Sequence, residues 1–247
     1  MLRATNLSKH FDGTAALHDL NCSIPEGVVY GLVGSNGAGK STLLRLAAGI
    51  FAPGTGQMTL DDAAIFENTA AKERIILVPD ELYFLSQSSL NRMAQLYARC
   101  FPHFSRPRYE ALVKLFQLDP NKAIRTFSKG MKRQSAILLA LACEPRYLLL
   151  DEAFDGLDPL MRDVVRKIIA RDVSERGTTI VISSHSLREL EDTCDNFALL
   201  HKGSLLFENP KADLLQQAPD GLEALFVQKL EAAGYRFDDA LEEVYAA

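Results

Sequence analysis

The sequence predicts an α/β fold: a parallel-sheet core with an antiparallel β subdomain and an inserted α-helical subdomain. Three observations lead there. Residues 28–33, 147–150 and 178–183 are aliphatic runs, apolar almost throughout, as strands covered on both faces must be. A glycine-rich turn joins the first run to a helical stretch, and a long helical pattern separates the first run from the other two.

The elements follow in order. Short apolar stretches broken by Asp12-Gly13 and Pro25-Glu26-Gly27 make residues 1–30 antiparallel strands ahead of the first parallel one. Leu43-Leu44-Arg45-Leu46-Ala47-Ala48 is apolar at helical spacing and rich in strong helix formers. Pro53-Gly54-Thr55-Gly56 breaks the chain, residues 57–60 resume as a strand, and 74–78 form another that Pro79 stops. From 90 to about 117 the pattern is helical, with Met93, Leu96, Tyr97, Leu112, Leu115 and Phe116 at helical offsets; residues 101–107 read as a loop between two helices. Residues 136–143 form a buried helix segment, and strands resume at 147–150 and 178–183. Beyond Asn209, Leu222, Leu225, Phe226 and Leu230 form an apolar helical stripe. The expected organisation is one domain over 1–235 with a helical insert at about 81–145, and a short appendage over 210–247.

Composition narrows the function. With 47% hydrophobic and 24% charged residues the chain has ample core material. A net charge of −5 gives no global field for DNA or RNA, so no nucleic-acid partner is expected. Cys22, Cys100, Cys143 and Cys194 form no C-x-x-C pair and suit a reducing compartment. The N-terminal residues lack the apolar core of a signal peptide, and no run approaches the ~20 residues that span a bilayer. The expectation is a soluble chain that reaches a membrane only through a partner.

Gly34-Ser35-Asn36-Gly37-Ala38-Gly39-Lys40-Ser41-Thr42 satisfies the phosphate-loop pattern G-x-x-x-x-G-K-[ST], between a strand and a helix. Such a turn aims several backbone N–H groups at one spot, where the helix dipole adds positive charge. The glycines keep side chains away and allow positive φ, so the backbone can wrap a polyphosphate. Lys40 then reaches the β- and γ-phosphates, and the Ser41 hydroxyl ligates Mg²⁺.

Other stations follow. Leu148-Leu149-Leu150-Asp151-Glu152 delivers two acids at the end of a buried strand, where open α/β sheets bind ligands. Asp151 can hold Mg²⁺, and Glu152 can orient and deprotonate an attacking water. In Phe127-Ser128-Lys129-Gly130-Met131 the serine has helix-cap chemistry, and on the residues alone it reads as a cap followed by a solvated basic first turn, Lys132-Arg133-Gln134. His185 ends the 178–183 run, where a neutral imidazole can donate to a γ-phosphate. Asp158 reads as a turn residue.

Taken in this order, the stations resemble the ATP-binding subunits of ABC transporters over about residues 2–207. The resemblance implies a P-loop NTPase (RecA-like) core with Walker A at 34–42, a signature-like segment at 127–131 and Walker B at 148–152. A D-loop at Gly156-Leu157-Asp158 and a switch histidine, His185, complete it. Phe11 stands where the family stacks an aromatic on adenine. The family implies ATP and Mg²⁺ as ligands and a composite site, with Ser128 and Gly130 meeting the γ-phosphate across a dimer with a second ABC ATPase subunit, identical or not. An integral membrane permease would turn the cycle into transport, and the chain would sit in the cytoplasm on the inner face of the membrane.

The chain departs from the family at several positions. Lys129 and Met131 replace a glycine and a glutamine of L-S-G-G-Q; S-K-G-M segments resemble those of bacterial drug and peptide exporters, which implies an exporter-like type. The coupling-loop glutamine falls at Asp80, which can approach Mg²⁺ but adds charge and lacks an amide donor; Gln87 lies further into the insert. Ala153-Phe154 stands where a proline usually follows the acid pair. The function expected is ATP hydrolysis that energises a separate permease through dimer closure. Two alternatives are a soluble ABC ATPase with a non-transport partner and a regulatory cassette that binds ATP as a sensor.

Overall fold

The computed structural model describes residues 1–234. β1 (Leu2–Phe11) and β2 (Thr14–Ile24) pair antiparallel around Asp12-Gly13, both at positive φ, as a two-residue hairpin demands. After Gly27 come β3 (Val29–Val33), the glycine loop and α1 (Lys40–Ala47). β4 (Thr55–Leu60), β5 (Ala63–Ala64), α2 (Thr69–Lys72) and β6 (Ile75–Val78) follow. Between β6 and the next strand the chain forms α3 (Leu90–Cys100), α4 (Arg106–Leu115), a 3₁₀ turn at Ile124–Thr126 and α5 (Lys129–Ala142). β7 (Tyr147–Asp151), α6 (Pro159–Arg176), β8 (Thr179–Ser184), α7 (Leu187–Glu191) and β9 (Asn196–His201) return to the sheet. β10 (Ser204–Pro210), α8 (Lys211–Gln217) and α9 (Leu222–Ala232) complete the described chain.

The strands make two sheets. One is antiparallel, in the order β2-β1-β4-β5; the other runs β10-β9-β3-β8-β7-β6 and is parallel except for its edge strand β10. Alternate residues of the parallel strands feed different cores. Val29, Val33, Leu148, Leu150, Ile180 and Ile182 pack with the helices of the insert and α6. Tyr30, Leu32, Tyr147, Leu149 and Val181 pack with α1 and the antiparallel sheet. A strand with period-two side chains and both faces covered must be apolar at every position, which is what the sequence displays.

Several elements differ from the sequence reading. Residues 106–107 are not loop: Ser105 caps α4 by accepting from the Arg108 N–H (3.3 Å), and Pro107 sits in the first turn, where its missing N–H costs nothing. α6 went unread because its buried stripe is thin, Val165, Ile169 and Asp172, although Asp158 caps it and Gly177 ends it at φ 65°. β9 and β10 went unread too; Lys202-Gly203, both at positive φ, make a second tight hairpin. The 222–230 stripe packs into the helical-side core, with Phe226 edge-on to Phe207 at 4.9 Å and to Phe197 at 6.2 Å. The rest of the expected appendage, 235–247, lies outside the described residues.

Candidate active site

The glycine loop is built by exclusion of side chains. At Gly39, the residue before α1, φ is 106° and a Cβ would lie 2.6 Å from the Ala16 carbonyl oxygen. At Gly34 a Cβ would run into the Leu200 carbonyl oxygen. Gly37 takes φ 78° at the loop's open side. Ser35 accepts from the Ala38 N–H, which closes the turn at 3.1 Å. Lys40 is only 6% exposed, and its ammonium donates to the carbonyls of Gly34 (2.6 Å) and Ser35 (3.2 Å).

The acids come from the end of β7. Register pairs Asp151 with Ser183 on β8, and the Ser183 hydroxyl donates to Asp151 Oδ1 at 2.6 Å while accepting from the Glu152 N–H at 3.1 Å. Asp151 is buried at the strand tip. Glu152 turns out of the strand at φ 47°, a left-handed conformation that costs a non-glycine residue about 1 kcal/mol or more and collects at functional sites. Its Oε1 lies 3.3 Å from Lys40 Nζ, and its Oε2 lies 3.0 Å from His185 Nδ1.

His185 follows β8 on a braced loop. The Ser184 hydroxyl donates to Glu189 (3.0 Å) and accepts from the Ser186 N–H (3.0 Å), while Arg162 holds the other Glu189 oxygen at 3.0 Å. The imidazole is 57% exposed beyond this brace.

Asn36, Gly37, Ala38, Gly39, Lys40, Ser41, Thr42, Ala16, Asp80 and Glu152 line one cleft of ≈ 220 Å³. The structure thus gathers the loop, Lys40, Ser41, Asp80 and Glu152, and ties His185 to them through Glu152. Phe11, Ser128 and Gly130 do not line this cleft. Phe11 is half-exposed at the end of β1, edge-on to Phe51 at 5.3 Å with Lys9 over its ring. The Ser128 hydroxyl caps α5 by accepting from the Met131 N–H (3.2 Å). Gly130 abuts the chain after β7: a Cβ there would lie 2.7 Å from the Gly156 carbonyl oxygen. Beside it Lys129 donates to Asp155 (2.7 Å), and this hydrogen bond holds the Asp155 carboxyl below the usual carboxylate range.

Two residues escaped the sequence reading. Ser183 carries no local signal beyond its strand; its role needs the β7–β8 register, which no local pattern shows. Arg133, expected in a solvated basic turn, is instead 1% exposed and bonded to the loop after β6. Helical phase places it on the α5 face that also buries Ala136, Ile137 and Ala140.

Residues 17–155 match the family model described as ABC transporter. The chain is 32% identical over 205 residues to the ABC transporter ATP-binding protein YtrB of Bacillus subtilis (strain 168), covering 83% of this chain and 70% of the relative.

The chain belongs to the ABC transporter family.

It is an ATP-binding subunit of that family, an ATPase coupled to transport. NatA of Bacillus subtilis (strain 168), an ABC transporter ATP-binding protein, is 30% identical over 242 residues, covering 93% of this chain and 98% of the relative. A bacitracin transport ATP-binding protein, BcrA of Bacillus licheniformis, is 31% identical over 216 residues, covering 85% and 70%. Among solved structures, an ATP-binding subunit of an ABC transporter superposes with TM-score 0.85 at 26% identity, covering 93% of this chain and 99% of that one. CbiO1 of Clostridium perfringens, part of the ABC transporter complex cbiONQ, superposes with TM-score 0.69 at 25% identity, covering 92% and 97%.

Proposed function

We propose that this ABC ATPase binds ATP with Mg²⁺ in the Lys40 cleft, closes onto a second copy of itself, and hydrolyses ATP to drive an export permease. The observation that carries this reading is the convergence of Lys40, Glu152 and His185, while Ser128 and Gly130 of the same chain lie outside the cleft. An isologous pair supplies the missing half from its partner, in both sites at once.

The loop N–H groups and Lys40 take the β- and γ-phosphates, and Phe11 offers a half-exposed aromatic face to adenine. A Mg²⁺ ion accompanying ATP would need one or two protein oxygens here. Ser41 and Asp151 offer a hydroxyl and a carboxylate of that kind, and Ser183 fixes the Asp151 orientation. When bound, the ion neutralises charge on the transferred phosphoryl group. Glu152 orients and deprotonates the attacking water, and His185, held on Glu152, reports the γ-phosphate.

The permease has a candidate seat beside the cleft. Arg45, Ile50, Leu77, Pro79, Glu81, Leu82 and Tyr83 line a cavity of ≈ 420 Å³, where Tyr83 is 83% exposed and Ile50 is 57% exposed. Exposed aromatic and aliphatic side chains with an arginine and a glutamate between them suit an amphipathic helix. A permease bound there places the subunit in the cytoplasm on the inner face of the membrane. A transport role is supported by the bacitracin transport ATP-binding protein among the relatives.

Sedimentation of the Glu152→Gln chain tests the dimer. With Mg-ATP it sediments as a dimer and without nucleotide as a monomer; a monomer under both conditions, with ATP bound, contradicts the reading.

A further inference from the structure

Arg133 lies outside every motif in the sequence, yet it is among the most buried side chains of the protein. A buried guanidinium is costly unless its donors are met. Here Nη1 donates to the Pro79 carbonyl (2.8 Å), and Nη2 donates to the Asp80 carbonyl (2.9 Å) and to Asp80 Oδ1 (2.7 Å), while Nε alone has no hydrogen-bond partner among the described residues. One planar fork thus grips both the backbone and the side chain of the loop that leaves β6. Asp80 lines the nucleotide cleft with Lys40, Ser41 and Glu152. Arg133 sits five residues after Ser128 on α5.

The same first turns of α5 also touch the loop that leaves β7. Lys129 is paired with Asp155, and Gly130 has no room for a Cβ against Gly156. Both loops that flank the cleft therefore bear on the helix end that carries Ser128.

We infer that Arg133 is a positioning residue that locks the Asp80 side of the nucleotide cleft to the Ser128 end of α5, with Asp80 serving as its counter-charge rather than as a metal ligand. The inference rests on the ATP-binding reading of the cleft. A ligand that displaces the 79–80 loop displaces α5 with it, because three hydrogen bonds and a buried charge join them. Lysine cannot substitute: a single ammonium does not span two carbonyls and a carboxylate in a fixed plane.

The test is hydrogen–deuterium exchange over residues 127–134, with and without Mg-ATP, at concentrations where sedimentation shows monomer. In the parent, nucleotide slows exchange there by about fivefold or more; in Arg133→Lys the slowing falls below about twofold while ATP affinity stays within about threefold. Asp80→Ala, which removes the side-chain acceptor and its charge at an exposed position, loses the response as well, and it carries the test should Arg133→Lys fail to fold. Mn²⁺ titrations followed by electron paramagnetic resonance, with ATP present, separate the metal role. Equal Mn²⁺ affinity in parent and Asp80→Ala supports the inference; a loss of about tenfold or more confined to Asp80→Ala makes Asp80 a ligand and overturns it. A parent-like exchange response in the variants, or none in an ATP-bound parent, also overturns it. A parent that binds no ATP condemns the reading of the cleft instead.

Discussion

Lys40 Nζ stands 3.3 Å from Glu152 Oε1, so the cation of the glycine loop and the acid beyond β7 neutralise one another in the free chain. Both are largely buried, where such a pair is worth more than at the surface. In the proposed site, phosphate oxygens arriving at Lys40 would compete with Glu152 for the ammonium, and the released carboxylate would be free to engage water. On the proposed reading, nucleotide arrival would set the readiness of Glu152.

Replacing Glu152 with glutamine removes the competing charge as well as the proposed base. ATP affinity is expected to hold or rise, while single-turnover hydrolysis slows by more than about tenfold, within the range that removal of a general base produces. Hydrolysis at the parental rate shows that Glu152 is not the base.

Lys40→Ala takes away a buried cation that donates to Gly34 and Ser35. The lost charge-assisted bonds to phosphate amount to about 1.5–3 kcal/mol, or roughly ten- to a hundredfold in ATP affinity. Calorimetry that returns the parental Kd contradicts the placement of the phosphates.

Away from the site, Arg108 on α4 reaches across to Asp172 on α6 at 2.6 Å, and both are nearly buried. Asp172→Ala strands the guanidinium and is expected to cost about 3 kcal/mol in denaturant unfolding. The Arg108→Met, Asp172→Leu double variant recovers most of that loss. Equal losses in the single and double variants show that packing, not charge, holds α4 to α6.

Glu208 on β10 is largely buried, and desolvation raises its carboxyl above the ordinary value of 4.5, although the Tyr30 hydroxyl (2.8 Å) and the Ser23 N–H donate to it. An acid whose folded pKa is raised favours its protonated form in the fold. Its contribution is therefore intact below pH about 4.5 and is lost as pH climbs through the raised value. Glu208→Gln keeps an acceptor for both donors and removes the charge. The variant's stability relative to the parent should rise from pH 4 to 8 in parallel urea titrations; a flat difference rules this out.

Much of this was legible in the sequence, for identifiable reasons. The glycine loop and the Asp151-Glu152 pair are contiguous, and their chemistry is local to the backbone that carries them. His185 was legible because a buried strand delivers it. Ser183 and Arg133 were not, since each acts on a residue distant in sequence, Asp151 through strand register and Asp80 through helix packing. Asp80 itself was read from position alone, and only the structure shows what its carboxylate touches. The β9–β10 hairpin was missed because Lys202 at φ 45° fills a place usually taken by asparagine or glycine.

The central claim is that each site takes its phosphate loop from one copy and its Ser128 from another. Complementation tests it most directly. Lys40→Ala and Ser128→Arg chains are each inactive alone, and ATPase activity is measured on an equimolar mixture. Random pairing makes half of the dimers mixed, each with one intact site of two, so the mixture should recover about a quarter of parental activity. A mixture as inactive as its components contradicts the composite site.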